Sequence, residues 1–269
     1  MRALLAYGTE GPCRADVVAP AADASWQYRI PEGLSCDEGQ FKTWYYPILD
    51  WQGPDADGAL WHEWETNDAD LAALEADPRT AQHDSKFIKG IHYRVTISPS
   101  VDGLALQFRV TNRSDRTFHN LRVFRCLGMP SDNFEDDALE RTFIVTEGDL
   151  TPLKDTDRGT GEWVRTHYHV SGTGPWGAGE GVWFWGEASK TEATEGVILR
   201  TSADSRFTVG TNWERAYEIY NNEDEHHHCI HSVPRFKVLG PGEVGTLHGK
   251  IVLVEGGAED ALERLRLLE

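Results

Sequence analysis

His167 and His169 stand two residues apart in the stretch Trp163–Val170. On an extended strand that spacing projects both imidazoles from one face, with Trp163 and Arg165, while Val164, Tyr168 and Val170 take the other. Imidazole titrates near about 6.5, so it gives or takes a proton close to neutral pH. Tyr217 and Tyr220 offer phenols, and Arg125 and Arg165 offer fixed positive charge. Together these types suit β-elimination next to a sugar carboxylate. His167 or His169 removes the α proton, Tyr217 or Tyr220 protonates the leaving oxygen, and Arg125 or Arg165 clamps the carboxylate. A tyrosine, ordinarily near about 10, needs a neighbouring cation to act as base. Asn221 and Asn222 add amides for hydroxyl groups. Arg122 and Arg125 fall on opposite faces of a strand, so at most one of them faces a given groove.

A second histidine cluster comprises His226, His227, His228 and His231. His167 and His169 with His228 or His231 make a candidate site for Zn, Cu or Mn, which needs three or four converging ligands. Ca asks for oxygens instead, and Asp132–Glu140 or Asp55 and Asp57 supply them without the spacing of a calcium loop. The elimination reading itself requires no cofactor. The spacing Gly161-x5-His167-x-His169 resembles the start of the first cupin motif. Thr173 and Gly174 stand where that family has its Glu, and Pro241-Gly242 replaces its Pro-x-Gly. The resemblance implies an alternative, a His–metal enzyme of cupin type.

Tryptophan is unusually frequent: 10 Trp, as many as Phe, against 2 Met. Indole faces pack on sheets, and they also stack on sugar rings. Trp44 and Tyr46 in one cluster, and Trp183 and Trp185 on one strand face in another, are the candidate saccharide platforms. A non-catalytic carbohydrate-binding protein would use these platforms alone.

The elements that must position these groups read mostly as strands. Ile91, Tyr93, Val95 and Ile97 alternate with polar residues, as do Leu104, Leu106, Phe108 and Val110, with a hairpin loop at Pro99–Gly103 between them. Further strands are expected at Trp26–Arg29, Lys42–Ile48, Leu60–Glu65, Leu121–Leu127, Thr142–Thr146, Trp163–Val170, Gly181–Gly186, Gly196–Thr201, Arg206–Thr211 and Thr246–Val254. Such short strands with Gly, Asp, Asn and Pro between them predict an all-β, mainly antiparallel sandwich. Asp70–Asp77 can form two helical turns capped by Asn67 or Asp68. Ala258, Ala261, Leu262, Leu265 and Leu268 predict a C-terminal helix. The organisation expected is one domain over 1–269: an irregular, Trp-rich lead-in over 1–90, a sandwich core over 91–256 and the helix over 257–269.

The net charge of −18 on 269 residues opposes nucleic acid and anionic membranes as partners, and the Trp clusters point to a saccharide substrate or ligand. Apolar runs such as Gly249–Gly256 are far shorter than the roughly 20 residues that cross a bilayer. Cys13, Cys36, Cys126 and Cys229 lack CxxC spacing and read as buried thiols, a Cys13–Cys36 bridge being the exception to check. A cytoplasmic protein is expected from the sequence as given, or a periplasmic or secreted one if a signal peptide has been removed.

Two segments carry a wider resemblance. Leu104–Asp115, LALQFRVTNRSD, is similar to the strand and turn of aldose 1-epimerases (galactose mutarotases) and related β-sandwich polysaccharide lyases. Leu239–Gly256, LGPGEVGTLHGKIVLVEG, is similar to their closing strand. At the place of the mutarotase His-x-Tyr-Phe this chain reads Arg122-Val123-Phe124-Arg125-Cys126. The resemblance therefore implies architecture and saccharide chemistry, by β-elimination on uronates or by sugar epimerisation, and carries over no catalytic residue.

Overall fold

The computed structural model describes residues 4–7, 14–19, 24–43, 47, 49–76, 86–129, 132–158, 165–174, 187–222 and 228–267. The first half carries β1 (Leu4–Tyr7), β2 (Arg14–Ala19), β3 (Ala24–Cys36), β4 (Gly39–Lys42), β5 (Leu60–Glu65), α1 (Asp68–Ala76), β6 (Ile91–Pro99), β7 (Gly103–Asn112) and β8 (Phe118–Gly128). The second half carries β9 (Thr142–Thr146), β10 (Asp149–Pro152), β11 (Arg165–His169), β12 (Glu187–Ala188), β13 (Ile198–Thr201), β14 (Phe207–Trp213), β15 (Ala216–Asn222), β16 (Cys229–Leu239), β17 (Val244–Glu255) and α2 (Ala258–Arg266).

These strands form two sheets. A nine-stranded sheet runs β1-β2-β3-β8-β16-β15-β11-β12, with β4 paired to β3, and an eight-stranded sheet runs β10-β9-β13-β14-β17-β7-β6-β5. Pairing is antiparallel throughout except between β11 and β12. The expected all-β sandwich with a short C-terminal helix is what the chain forms. Where an irregular lead-in was expected over 1–90, the described residues supply β1 to β5, and β3 lies beside β8 inside the larger sheet.

Alternation explains the layers. Trp26 and Tyr28 of β3, Leu121 and Val123 of β8, Ile219 of β15 and Tyr168 of β11 meet Tyr93, Phe108, Leu247 and Ile251 of the second sheet in one buried core. Trp213 of β14 lies against Gly249 of β17, where any Cβ would come within 2.3 Å of the indole Cδ2, so glycine there is what admits the ring. On the outer face of the eight-stranded sheet, Ala261, Leu262 and Leu265 of α2 bury Val145, Val197, Leu199 and Val252. The 3.6-residue spacing seen in the sequence is the stripe that makes this contact. Asn67 caps α1 by accepting from the Asp70 N–H at 3.0 Å.

His62 of β5 is sealed in the core. Its Nε2 lies 2.8 Å from the Ile30 carbonyl, with the Trp51 ring centroid 4.5 Å and the Tyr93 centroid 5.8 Å away. Burial first, and the Lys42 charge second, push its pKa down to about 3 against the pull of the Ile30 bond.

Two outcomes follow for stability. Leu265→Ala should cost about 2–5 kcal/mol, read as a lower denaturant midpoint at unchanged slope. The pH dependence comes from His62. An unfolded chain takes a proton there near about 6.5, whereas the folded chain holds out until about 3. Stability should therefore fall as pH drops from about 6.5 to about 3 and level off below. His62→Gln should flatten that part of the profile in thermal melts across the range.

Candidate functional site

The face of the nine-stranded sheet that turns away from the core is where the chemistry-bearing residues gather. Antiparallel register lays them out in rows. In the central row His167 of β11 faces Tyr220 of β15, and Tyr220 faces His231 of β16. The register that pairs Ile230 with Leu127 sets His231 beside Cys126 of β8, which in turn faces Arg29 of β3. On one side lie Arg165, Asn222 and Cys229; on the other lie His169, Glu218, Val233 and Phe124. A last row holds Arg235 opposite Arg122.

Most of this face is buried, although it is not the core face. Glu218 is 0% exposed, His167 and His231 are 1% exposed, and Tyr220 is 4% exposed. Tyr220 packs with Phe124 and Val233 in an apolar floor. Its ring lies 4.7 Å from that of His167 and stacks on that of His231 at 3.9 Å and 11°.

His167 and Glu218 make the central contact. His167 Nδ1 donates to Glu218 Oε1. The two remaining polar atoms, His167 Nε2 and Glu218 Oε2, are buried and have no hydrogen-bond partner among the described residues. A buried imidazole–carboxylate pair with unpaired polar atoms is costly to keep. Two such atoms side by side, one on an imidazole and one on a carboxylate, mark this pair as the candidate for acid–base work.

The neighbours have settled charge states. Burial, then the Glu32 and Glu218 carboxylates, push the Tyr220 phenol well above its ordinary value, so it stays a neutral donor. Burial, then the positive charges of Arg165 and Arg125 and the nearby His167, push His231 well below its ordinary value, so it stays uncharged.

The expected site residues divide sharply. His167, Tyr220, Arg165 and Asn222 stand on this face, and Asn222 donates to Cys229 Sγ at 2.8 Å. His169 also stands here, but both ring nitrogens are taken, by Glu192 at 3.2 Å and Thr173 at 3.1 Å. Tyr217 sits at the edge under the Arg235 guanidinium, 3.5 Å above its ring. Arg125 is a correction: it points between the sheets, donating to Thr211 Oγ1 at 3.0 Å and to the Ser232 carbonyl, 4.9 Å from the Trp213 ring. Asn221 is another, because its side chain accepts from Arg200 at 2.6 Å on the inner face. Trp44, Tyr46, Trp183 and Trp185 lie outside the described residues.

The histidine metal set does not assemble. The Tyr220 ring lies between His167 and His231, whose strands are two apart, about 9–10 Å. His228 sits elsewhere, 3.9 Å from Glu135 and from Asp137. Glu218, Glu32, Cys126 and Cys229 are the members of this face that sequence reasoning did not single out. For β15 and β16 the signal was weak, since Pro234 and the run of histidines interrupt the alternation.

Comparison with known proteins adds architecture. No protein-family description and no curated protein matches this chain. Among solved structures, Slr1438 protein from Synechocystis sp. PCC 6803 superposes with a TM-score of 0.51 at 10% identity, covering 85% of this chain and 78% of that one. A galactose mutarotase-like protein from Lactobacillus casei superposes with a TM-score of 0.50 at 12% identity, covering 94% and 100%. The chain thus shares the fold of galactose mutarotase-like proteins. At such identities the likeness is one of fold alone, and function has to be argued from the site.

Arg125→Met should keep most of the packing while stripping Thr211 and the Ser232 carbonyl of their donor. A loss of about 1–3 kcal/mol in unfolding free energy is expected, measured by denaturant titration.

Proposed function

We propose that this chain interconverts the anomers of a sugar, and that His167 and Glu218 carry the proton transfers. The observation that supports this most is the buried imidazole–carboxylate pair with one open acid edge and one open base edge. Opening a cyclic hemiacetal needs both at once. Glu218 Oε2 takes the proton of the anomeric hydroxyl while His167 Nε2–H, in the imidazolium form, protonates the ring oxygen. The bond from the anomeric carbon to the ring oxygen breaks and leaves an open-chain aldehyde. Rotation about the adjacent carbon–carbon bond and reclosure from the other side return both protons and give the other anomer. Nothing is consumed, and neither a metal nor a redox group takes part in these steps.

The surroundings fit that work. A neutral Tyr220 donor and the Asn222 amide suit hydroxyl groups, and Arg165 lies in the adjoining row. The fold shared with a galactose mutarotase-like protein is in keeping with a saccharide ligand. Elimination on uronates draws less support, because Arg125, one of its two carboxylate clamps, faces the core.

Exchange spectroscopy on anomeric protons, run over neutral hexoses, pentoses and uronates, tests the reading. Faster exchange than in buffer is expected for at least one sugar. Glu218→Gln and His167→Asn should each lower that rate by about 10²–10⁴-fold, whereas Arg125→Met should keep it at temperatures where the variant is folded. No acceleration on any sugar, or a Glu218→Gln variant as fast as the parent, would overturn it. Appearance of an unsaturated uronate product would replace it with elimination.

A further inference from the structure

The same face carries a second group that anomer exchange does not use. Ligand atoms of Cys126, Cys229 and His231 all lie within 4.8 Å of one another, and all three residues are buried. Cys229 and His231 are two apart on β16, so they leave one face, and Cys126 reaches them from the neighbouring strand β8. Glu32 Oε2 stands 3.9 Å from His231 Nε2. Arg29 lies across from Cys126 on β3.

We propose that Cys126, Cys229 and His231 form a binding site for a thiophilic divalent cation, Zn²⁺ before others. Two thiolates and an imidazole are the donors that such an ion prefers to oxygen-rich sets. Bonds of about 2.3 Å to sulfur and about 2.0–2.1 Å to nitrogen put tetrahedral ligand atoms about 3.5–3.8 Å apart. The three atoms therefore need to close in by at most about 1 Å, within the reach of side-chain rotation. Two thiolates neutralise the ion, and the charges of Glu32 and Arg29 offset each other beside it. A carboxylate next to a ligating imidazole is the usual outer partner of such a site, since it fixes the ring and raises its basicity. Two paired strands hold all three ligands, so little is left to order when the ion binds. The site adjoins the groups given to the sugar, since His231 stacks on Tyr220 and Asn222 donates to Cys229 Sγ, and for that reason its test reads the ion and not turnover.

The experiment titrates Co²⁺ into the reduced, metal-stripped full chain under anaerobic conditions. One equivalent should raise a thiolate-to-cobalt charge-transfer band with the intense visible absorption of tetrahedral cobalt, and Zn²⁺ should abolish both. Cys126→Ser and Cys229→Ser should each remove the charge-transfer band or halve it. Glu32→Gln keeps all three ligands and should weaken binding by about 10–100-fold. Far-UV circular dichroism and melting of the metal-free variants show that they are folded, and Glu32→Gln keeps the comparison usable if a cysteine variant is not. A reduced parent with no charge-transfer band, or a band unchanged in both cysteine variants, overturns the site. So does a thiol count showing Cys126 and Cys229 joined as a disulfide that resists reduction in the folded chain.

Discussion

Strand register across β11, β15, β16, β8 and β3 is the constraint on which everything else rests. Side chains alternate with period two, so a slip of one residue in any of these strands would exchange its inner and outer sets. His167 would then enter the core and Tyr168 would leave it. The rows that join His167 to Tyr220, Tyr220 to His231 and Cys126 to Arg29 exist only at the register observed. The core on the other face enforces that register, because Tyr168, Ile219, Ile230 and Tyr28 fit only when turned inward. Packing on one side of the sheet thus positions chemistry on the other.

Charge is buried on both sides, with different consequences. Arg125 and Arg200 lie inside and tie elements together: Arg125 donates to Thr211 and the Ser232 carbonyl beside the Trp213 ring, and Arg200 donates to Thr142, the Phe134 carbonyl and Asn221. They act as ties between layers, and burial lowers the pKa of both, that of Arg200 to about 10. His167 and Glu218 are buried as deeply but satisfy only each other. That contrast separates the cations that hold the sandwich together from the pair to which we give the proton transfers.

The architecture was legible where alternation was clean. β5, β6, β7 and β9 fall where the pattern of apolar residues put them, and the helical stripe of Ala261, Leu262 and Leu265 marked α2. His167 was legible too, because an i, i+2 pair on a strand must share a face. Its partner was not. Glu218 is one of 44 acidic residues, and nothing in its local pattern sets it apart. Arg125 misled for a related reason: an Arg in an apolar strand reads equally as a clamp or as a tie, and only the partners across the sandwich decide. Cys126 and Cys229 are distant in the chain, so their meeting with His231 depends wholly on β8 pairing with β16.

Both carboxylates on the outer face enter where regular pairing breaks. Ala216 pairs with Pro234 and Glu218 with Val233, so Tyr217 is an extra residue between them. Ala216 turns inward and Glu218 outward because of that residue. Glu32 lies in the irregular stretch between Arg29 and Gly33 of β3. In evolutionary terms, the bulge is where β15 can shorten without losing its acid: removal of Tyr217 would leave Ala216 opposite Pro234 and Glu218 opposite Val233, each on its present face. A residue lost between Glu218 and Asn222 would instead turn the acid into the core. Related chains can therefore differ at the bulge and keep this Glu, and an alignment that ignores the bulge would score a retained acid as a lost one.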